Sequence, residues 1–258
     1  MITRLMGGRR RLAVLRQIDR PAVMGLAILQ ALVAAAGWFA SPVWLAGAVA
    51  AQLALGGIGA VRILGPARSD LGLARYAMPA AAGIMATLFG RLIPGGLSLL
   101  LIPIVAVLLW SVTYLELRIE RGTGGRTIGD LLLTAMVLAG AAGILTFFGT
   151  GTWPTPLILV GGLTVPLALR AAEARGTIGA EGVGQALLHL LVVAQVGAAA
   201  VLLGLPPLVV GALIALAFYT WAGAVDALRG EASGWSVVRE FGALTVLGLA
   251  VGLILTRA

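Results

Sequence analysis

A chain of 258 residues that is 60% hydrophobic and 11% charged, with a mean hydropathy of +1.06, is not a soluble globular domain, whose charged share is about 25%. The net charge of +8 comes from arginine alone, since the sequence has no lysine, and the absence of cysteine excludes disulfides, thiolate metal sites and a cysteine nucleophile. Apolar runs of about 20 residues, the length of a membrane crossing, fill the chain and leave no room for a separate water-soluble catalytic domain, so any activity belongs to the helices or their connections.

Residues 1–21 hold Arg4, Arg9, Arg10, Arg11, Arg16 and Arg20, interleaved with Leu12, Leu15 and Ile18. Such a stretch beside an apolar helix reads as a cytoplasmic interfacial segment attracted to anionic inner-leaflet lipids, and not as a nucleic-acid patch. Nine predicted spans follow at 22–40, 43–64, 77–93, 97–115, 128–148, 157–169, 183–203, 208–225 and 237–256. Together they make one all-α transmembrane bundle over residues 22–258. The connections at 65–76, 116–127, 170–182 and 226–236 carry most of the remaining charges, and the alternate turns carry none. The positive-inside rule then predicts a multi-pass protein of the inner (plasma) membrane, N-terminus in the cytoplasm and C-terminus outside. Only Arg91 and Arg257 fall towards the outer side, and Arg91 there either snorkels to the headgroups or holds an anionic substrate.

The charged loops repeat. Arg121-Gly122-Thr123, Arg175-Gly176-Thr177 and Arg229-Gly230-Glu231 recur every 54 residues, which makes the unit a helical hairpin with its loop. Arg121, Thr123, Arg175 and Thr177 are candidate anion or headgroup ligands, because Gly-rich backbone exposes N–H groups and Arg is a bidentate phosphate donor. The same residues read more simply as helix punctuation, with Asp130, Glu181 and Glu240 in the first turns that follow. Glu116, Arg118, Glu120 and Arg121 form an alternating patch suited to an exposed helix end.

Few polar side chains lie inside the spans. His189, the one histidine, has Gln185 a turn away and Gln195 deeper, a set that marks either an interhelical hydrogen bond or a proton or substrate path. One histidine without cysteine or nearby carboxylates does not make a metal site, and no cofactor motif is present. Helix breaks point to cavities: Pro103 in the fourth span, and Gly161-Gly162 with Pro166 in a short sixth. They predict a pocket near the fourth, sixth and seventh helices, with Tyr114, Thr164 and Tyr219 as polar lining. Gly248-Leu249-Ala250-Val251-Gly252 in the last span is a close-packing motif for a neighbouring or partner helix.

Nine helices with N-in, C-out topology and cytoplasmic functional loops resemble the intramembrane prenyltransferases of the UbiA superfamily. That resemblance implies Mg²⁺-diphosphate binding by Asp-rich motifs in the loops after the second and sixth helices. Here those loops offer Asp70 in one and Glu173 and Glu181, but no Asp, in the other. Three readings follow: a non-enzymatic protein that binds or transports a hydrophobic or small molecule within the bundle, a structural subunit of a larger membrane complex or homo-oligomer, and a prenyltransferase-like lipid-modifying enzyme lacking the usual Asp motifs.

Overall fold

The computed structural model describes residues 20–65, 72–93, 99–120, 126–149, 154–230 and 233–255. Residues 1–19 of the Arg-rich N-terminal segment, Asp70, Arg121 and Thr123 lie outside these. The described residues form nine α-helices: α1 (Arg20–Trp38), α2 (Pro42–Leu64), α3 (Met78–Gly90), α4 (Ile102–Glu120), α5 (Arg126–Phe148), α6 (Thr155–Ala174), α7 (Gly179–Leu202), α8 (Pro207–Arg229) and α9 (Gly234–Leu255), with a 3₁₀ turn at Ala74–Tyr76. Eight are long and apolar enough to cross a membrane; α3, at 13 residues, is not. Proline opens α2, α3, α6 and α8, where its missing N–H leaves no helical bond unmade. Gly65 and Gly176, at φ +74° and +80°, end α2 and α6 in the left-handed backbone.

Two expected helix breaks resolve differently. Pro103 lies in the first turn of α4, where proline is tolerated, so it starts that helix and does not kink it. The sixth helix is not short: α6 runs 20 residues through Gly161, Gly162 and Pro166. Pro166 still leaves its mark, because it deprives the Gly162 carbonyl of its in-helix donor.

The centre is built on α3 and α5. Eleven of the 13 residues of α3 are buried, and it packs against α1, α2, α4 and α5. In turn α5 packs against α3, α6 and α8. In a bilayer, where lipid tails are as apolar as leucine, close backbone approach is what holds helices together, and glycine supplies it where α3 crosses α2 and where α5 crosses α3 and α8. A Cβ on Gly56 of α2 would collide with the Ala80 Cα of α3, one on Gly143 of α5 would lie 2.7 Å from the Leu88 Cβ, and one on Gly211 of α8 would lie 2.9 Å from the Ala142 backbone N. The glycine pair of α9 works the same way inside the chain: Gly248 faces Leu216 and Gly252 faces Val209, both on α8.

The 54-residue periodicity survives in the helix ends, with α2, α4, α6 and α8 finishing at residues 64, 120, 174 and 229. As packed hairpins it holds for α2–α3, α6–α7 and α8–α9. The second unit is different: α4 barely touches α5 and lies against α1 instead.

Candidate functional site

Between α2, α3, α5 and α6 lies a cavity of about 890 Å³. Its walls are made of missing volume. Gly57 of α2, Ala80 and Ala81 of α3, and Gly162 of α6 leave space that Leu53, Ile84 and Phe147 border without filling. It is half open, and α2 and α6, which stand on either side of it, scarcely touch. Along α2 it extends from Pro42 to Gly57, which at about 1.5 Å per residue is about 22 Å, more than the depth of one leaflet of a bilayer core about 30 Å thick. The size is that of a ligand site, near the upper end of the usual 300–1,000 Å³.

Tyr76 is the one polar side chain in that lining. Its hydroxyl donates to the Gly65 carbonyl at 2.7 Å and accepts from Nη2 of Arg75, whose guanidinium lies 4.5 Å from the ring centre. The donor of the phenol is therefore spent within the protein. The turn that carries Tyr76 is strapped to α6 by Glu173, whose carboxylate accepts the Ala74 amide at 3.2 Å, and Gly72 passes so close to that carboxylate that a side chain there would collide with it.

The end of the bundle where this strap lies carries a belt of ion pairs. Glu116 of α4 is buried, not on an exposed helix end as its alternating neighbours suggest, and it takes both Nε and Nη2 of Arg170 of α6 at 2.6–3.1 Å. Arg118 on the same helix end is exposed. Arg175 lies between Asp130 of α5 at 2.9 Å and Asp226 of α8 at 3.3 Å, and Glu181 meets Arg229 at 3.2 Å on the surface. Where α4 stands off from α5, a space of about 230 Å³ remains beside Glu116, Asp130 and Arg170. The Arg175-Gly176-Thr177 turn is a helix stop in a Schellman-type arrangement, with the Gly176 and Thr177 amides donating to the Glu173 and Ala172 carbonyls.

The opposite end is nearly free of charge. Among the described residues Arg91 is the one charged side chain there. Its Nη1 donates to the Gly37 and Ala40 carbonyls, each at 2.8 Å, closing the end of α1, and its guanidinium lies 5.2 Å from the centre of the Phe147 ring.

Of the polar residues singled out in sequence, His189, Gln185 and Arg175 are brought together around a space of about 20 Å³, enough for about one water. Nε2 of His189 is 2.9 Å from the Phe218 carbonyl, so that nitrogen carries the proton, and the ring stacks on Phe218. Gln195 is exposed on the outside of α7. Tyr114 stacks on Trp110 at 5.0 Å, and Thr164 is bonded to its own helix at Val160. Neither they nor Tyr219 line the large cavity, which is bordered by the second, third, fifth and sixth helices and not by the fourth and seventh. The displacement has a plain cause: the cavity forms where side chains are small, and polarity does not mark it.

Two buried glutamines were not singled out. Gln30 of α1 donates to the Pro79 carbonyl at 2.8 Å, and Gln52 of α2 donates to the Gln30 carbonyl at 2.8 Å and to the Thr87 hydroxyl at 3.3 Å, tying α1, α2 and α3 together beside Gly83. Among the described residues no group of three or more metal-ligating side chains is assembled. No family model matches the chain, and neither do curated proteins or solved structures. The geometry therefore carries the functional reading by itself.

Proposed function

We propose that the chain is a multi-pass protein of the cytoplasmic membrane that binds, and in that way carries or presents, a hydrophobic chain in the lateral cavity between α2 and α6. The observation behind this is the cavity itself: about 890 Å³, elongated along the helices, apolar but for a tyrosine already bonded within the protein. An interior with no spare donor favours hydrocarbon over a polar solute, because a polar group taken in without a partner loses its hydration uncompensated. The charge asymmetry supports an orientation with the ion-pair belt at the cytoplasmic face and Arg91 at the outer one.

Cavity filling tests the reading. Gly162 has nothing within 4 Å of the position its Cβ would take, so Gly162→Phe places a ring in the cavity without forcing backbone apart. With a photoreactive C16 fatty acid carrying a diazirine in its chain, labelling of the purified protein in lipid nanodiscs is expected to concentrate on α2, α3 and α6 and to fall sharply in Gly162→Phe. Labelling spread evenly over outward residues such as Leu191 and Val246, or unchanged by the substitution, refutes it.

A further inference from the structure

We infer that Arg91 receives the anionic head, a carboxylate or a phosphate, of an amphiphile whose chain occupies the cavity. The inference rests on the cavity reading above and adds the class of the ligand. A hydrocarbon slot that is half open and about as long as a lipid chain accounts for the tail but does not choose a head. The head is chosen by what stands at the ends. At the strap end the nearest polar side chain is Tyr76, with its proton committed to Gly65. At the opposite end Phe147 lines the cavity, and the Arg91 guanidinium lies over that same ring.

Arg91 is built to hold an anion. Its Nη1 is fixed by two carbonyls and its plane is steadied by the ring, so little rotamer freedom remains to be lost on binding. Those two carbonyl bonds use one nitrogen, and the guanidinium has five donors in all. Among the described residues no carboxylate pairs with it, whereas Arg170, Arg175 and Arg229 at the other end all have one. A positive charge at the apolar end of a bundle, over a ring that borders the hydrocarbon slot, complements a single-headed anionic amphiphile and not a cationic one. Carboxylate and phosphate heads share this chemistry, since both accept the guanidinium fork.

The test compares three competitors of the photoreactive C16 probe in neutral phosphatidylcholine nanodiscs, in alkaline buffer: hexadecanoate, hexadecyl phosphate and methyl hexadecanoate. For the wild type, one or both anions are expected to compete about tenfold better than the methyl ester, the size of a charged hydrogen bond. In Arg91→Gln that ratio falls to about one while competition by the ester is unchanged; Arg91→Lys keeps a preference for the anions. Whichever anion competes better identifies the head. A ratio near one in the wild type, or a ratio that Arg91→Gln leaves intact, overturns the assignment of Arg91 while the cavity reading stands. If none of the three competes in the wild type, the cavity reading fails with it. Gly162→Phe distinguishes the two sites, since it lowers competition by ester and anions alike.

Discussion

Glu116 and Arg170 join α4 to α6 through a pair that is 4% and 8% exposed at the side chains, with the carboxylate spanned by Nε and Nη2. Removing one partner of such a pair leaves the other charge buried without that partner, at a cost of about 3–5 kcal/mol, while replacing both by apolar residues of similar volume is often neutral. Arg170→Met and Glu116→Leu are therefore each expected to destabilise by about 3–5 kcal/mol. The double variant is expected to be no worse than either, which makes the coupling at least about 3 kcal/mol in a double-mutant cycle. The two singles should also differ. When Arg170 is removed, Glu116 can shed its charge by taking up a proton, and when Glu116 is removed, Arg170 cannot lose its own, so Glu116→Leu is the more damaging. Unfolding in mixed micelles titrated with dodecyl sulfate, followed by the fluorescence of the six tryptophans, measures all four proteins. Additive single effects, or a double variant as unstable as the sum, would show that the pair is solvated and the reasoning wrong.

Gly56 and Gly57 are neighbours on α2 with opposite surroundings: a Cβ added to the first would collide with the Ala80 backbone, and one added to the second would meet open space. In the same unfolding assay Gly56→Ala is expected to lose stability because two backbones must separate, and Gly57→Ala to be neutral or to gain up to about 1 kcal/mol from helix propensity; equal effects would contradict the crossing described. Gln52→Leu removes the bonds to Gln30 and Thr87 and is expected to cost only about 1 kcal/mol, the scale of polar contacts between membrane helices. Since the chain has no cysteine, Ser41→Cys and Ser233→Cys report orientation directly with a membrane-impermeant maleimide on intact cells. Ser41→Cys is expected to react from outside and Ser233→Cys only after the membrane is opened; the reverse pattern would invert the topology.

The sequence shows the helices well because a run of apolar residues bounded by Pro and Gly has one reading in a membrane. The start of α2 at Pro42 and the end of α5 at Phe148 lie within a residue of the spans at 43–64 and 128–148. It also marks one wall of the cavity, since Gly162 and Pro166 both line it. The remaining walls were hidden for a physical reason. These helices are apolar all round, so hydropathy does not distinguish the face that meets lipid from the face that meets protein. On α2, Gln52 is fully buried and Leu53 is half exposed, although they are adjacent. Polarity was an unreliable guide in the other direction too: Gln195 turns outward, while Gln30, in a stretch of alanine and leucine, is buried at a three-helix junction. The partner of Glu116 was invisible because it lies 54 residues away, beyond any local spacing rule.

The shortness of α3 bears on how the protein is made. At 13 residues it rises about 20 Å, too little to cross a hydrocarbon core of about 30 Å, and arginines at 75 and 91 flank it closely. Leaving the ribosome, such a segment has no strong claim on the lipid and cannot be inserted as an independent unit. Its early partners, α1 and α2, are already in place when it emerges, and Gln30 and Gln52 offer bonds to it that lipid does not. The central helix of the finished bundle is thus expected to enter the membrane together with its neighbours, and damage to α1 or α2 to show first as a failure to insert α3, before any loss of a folded state.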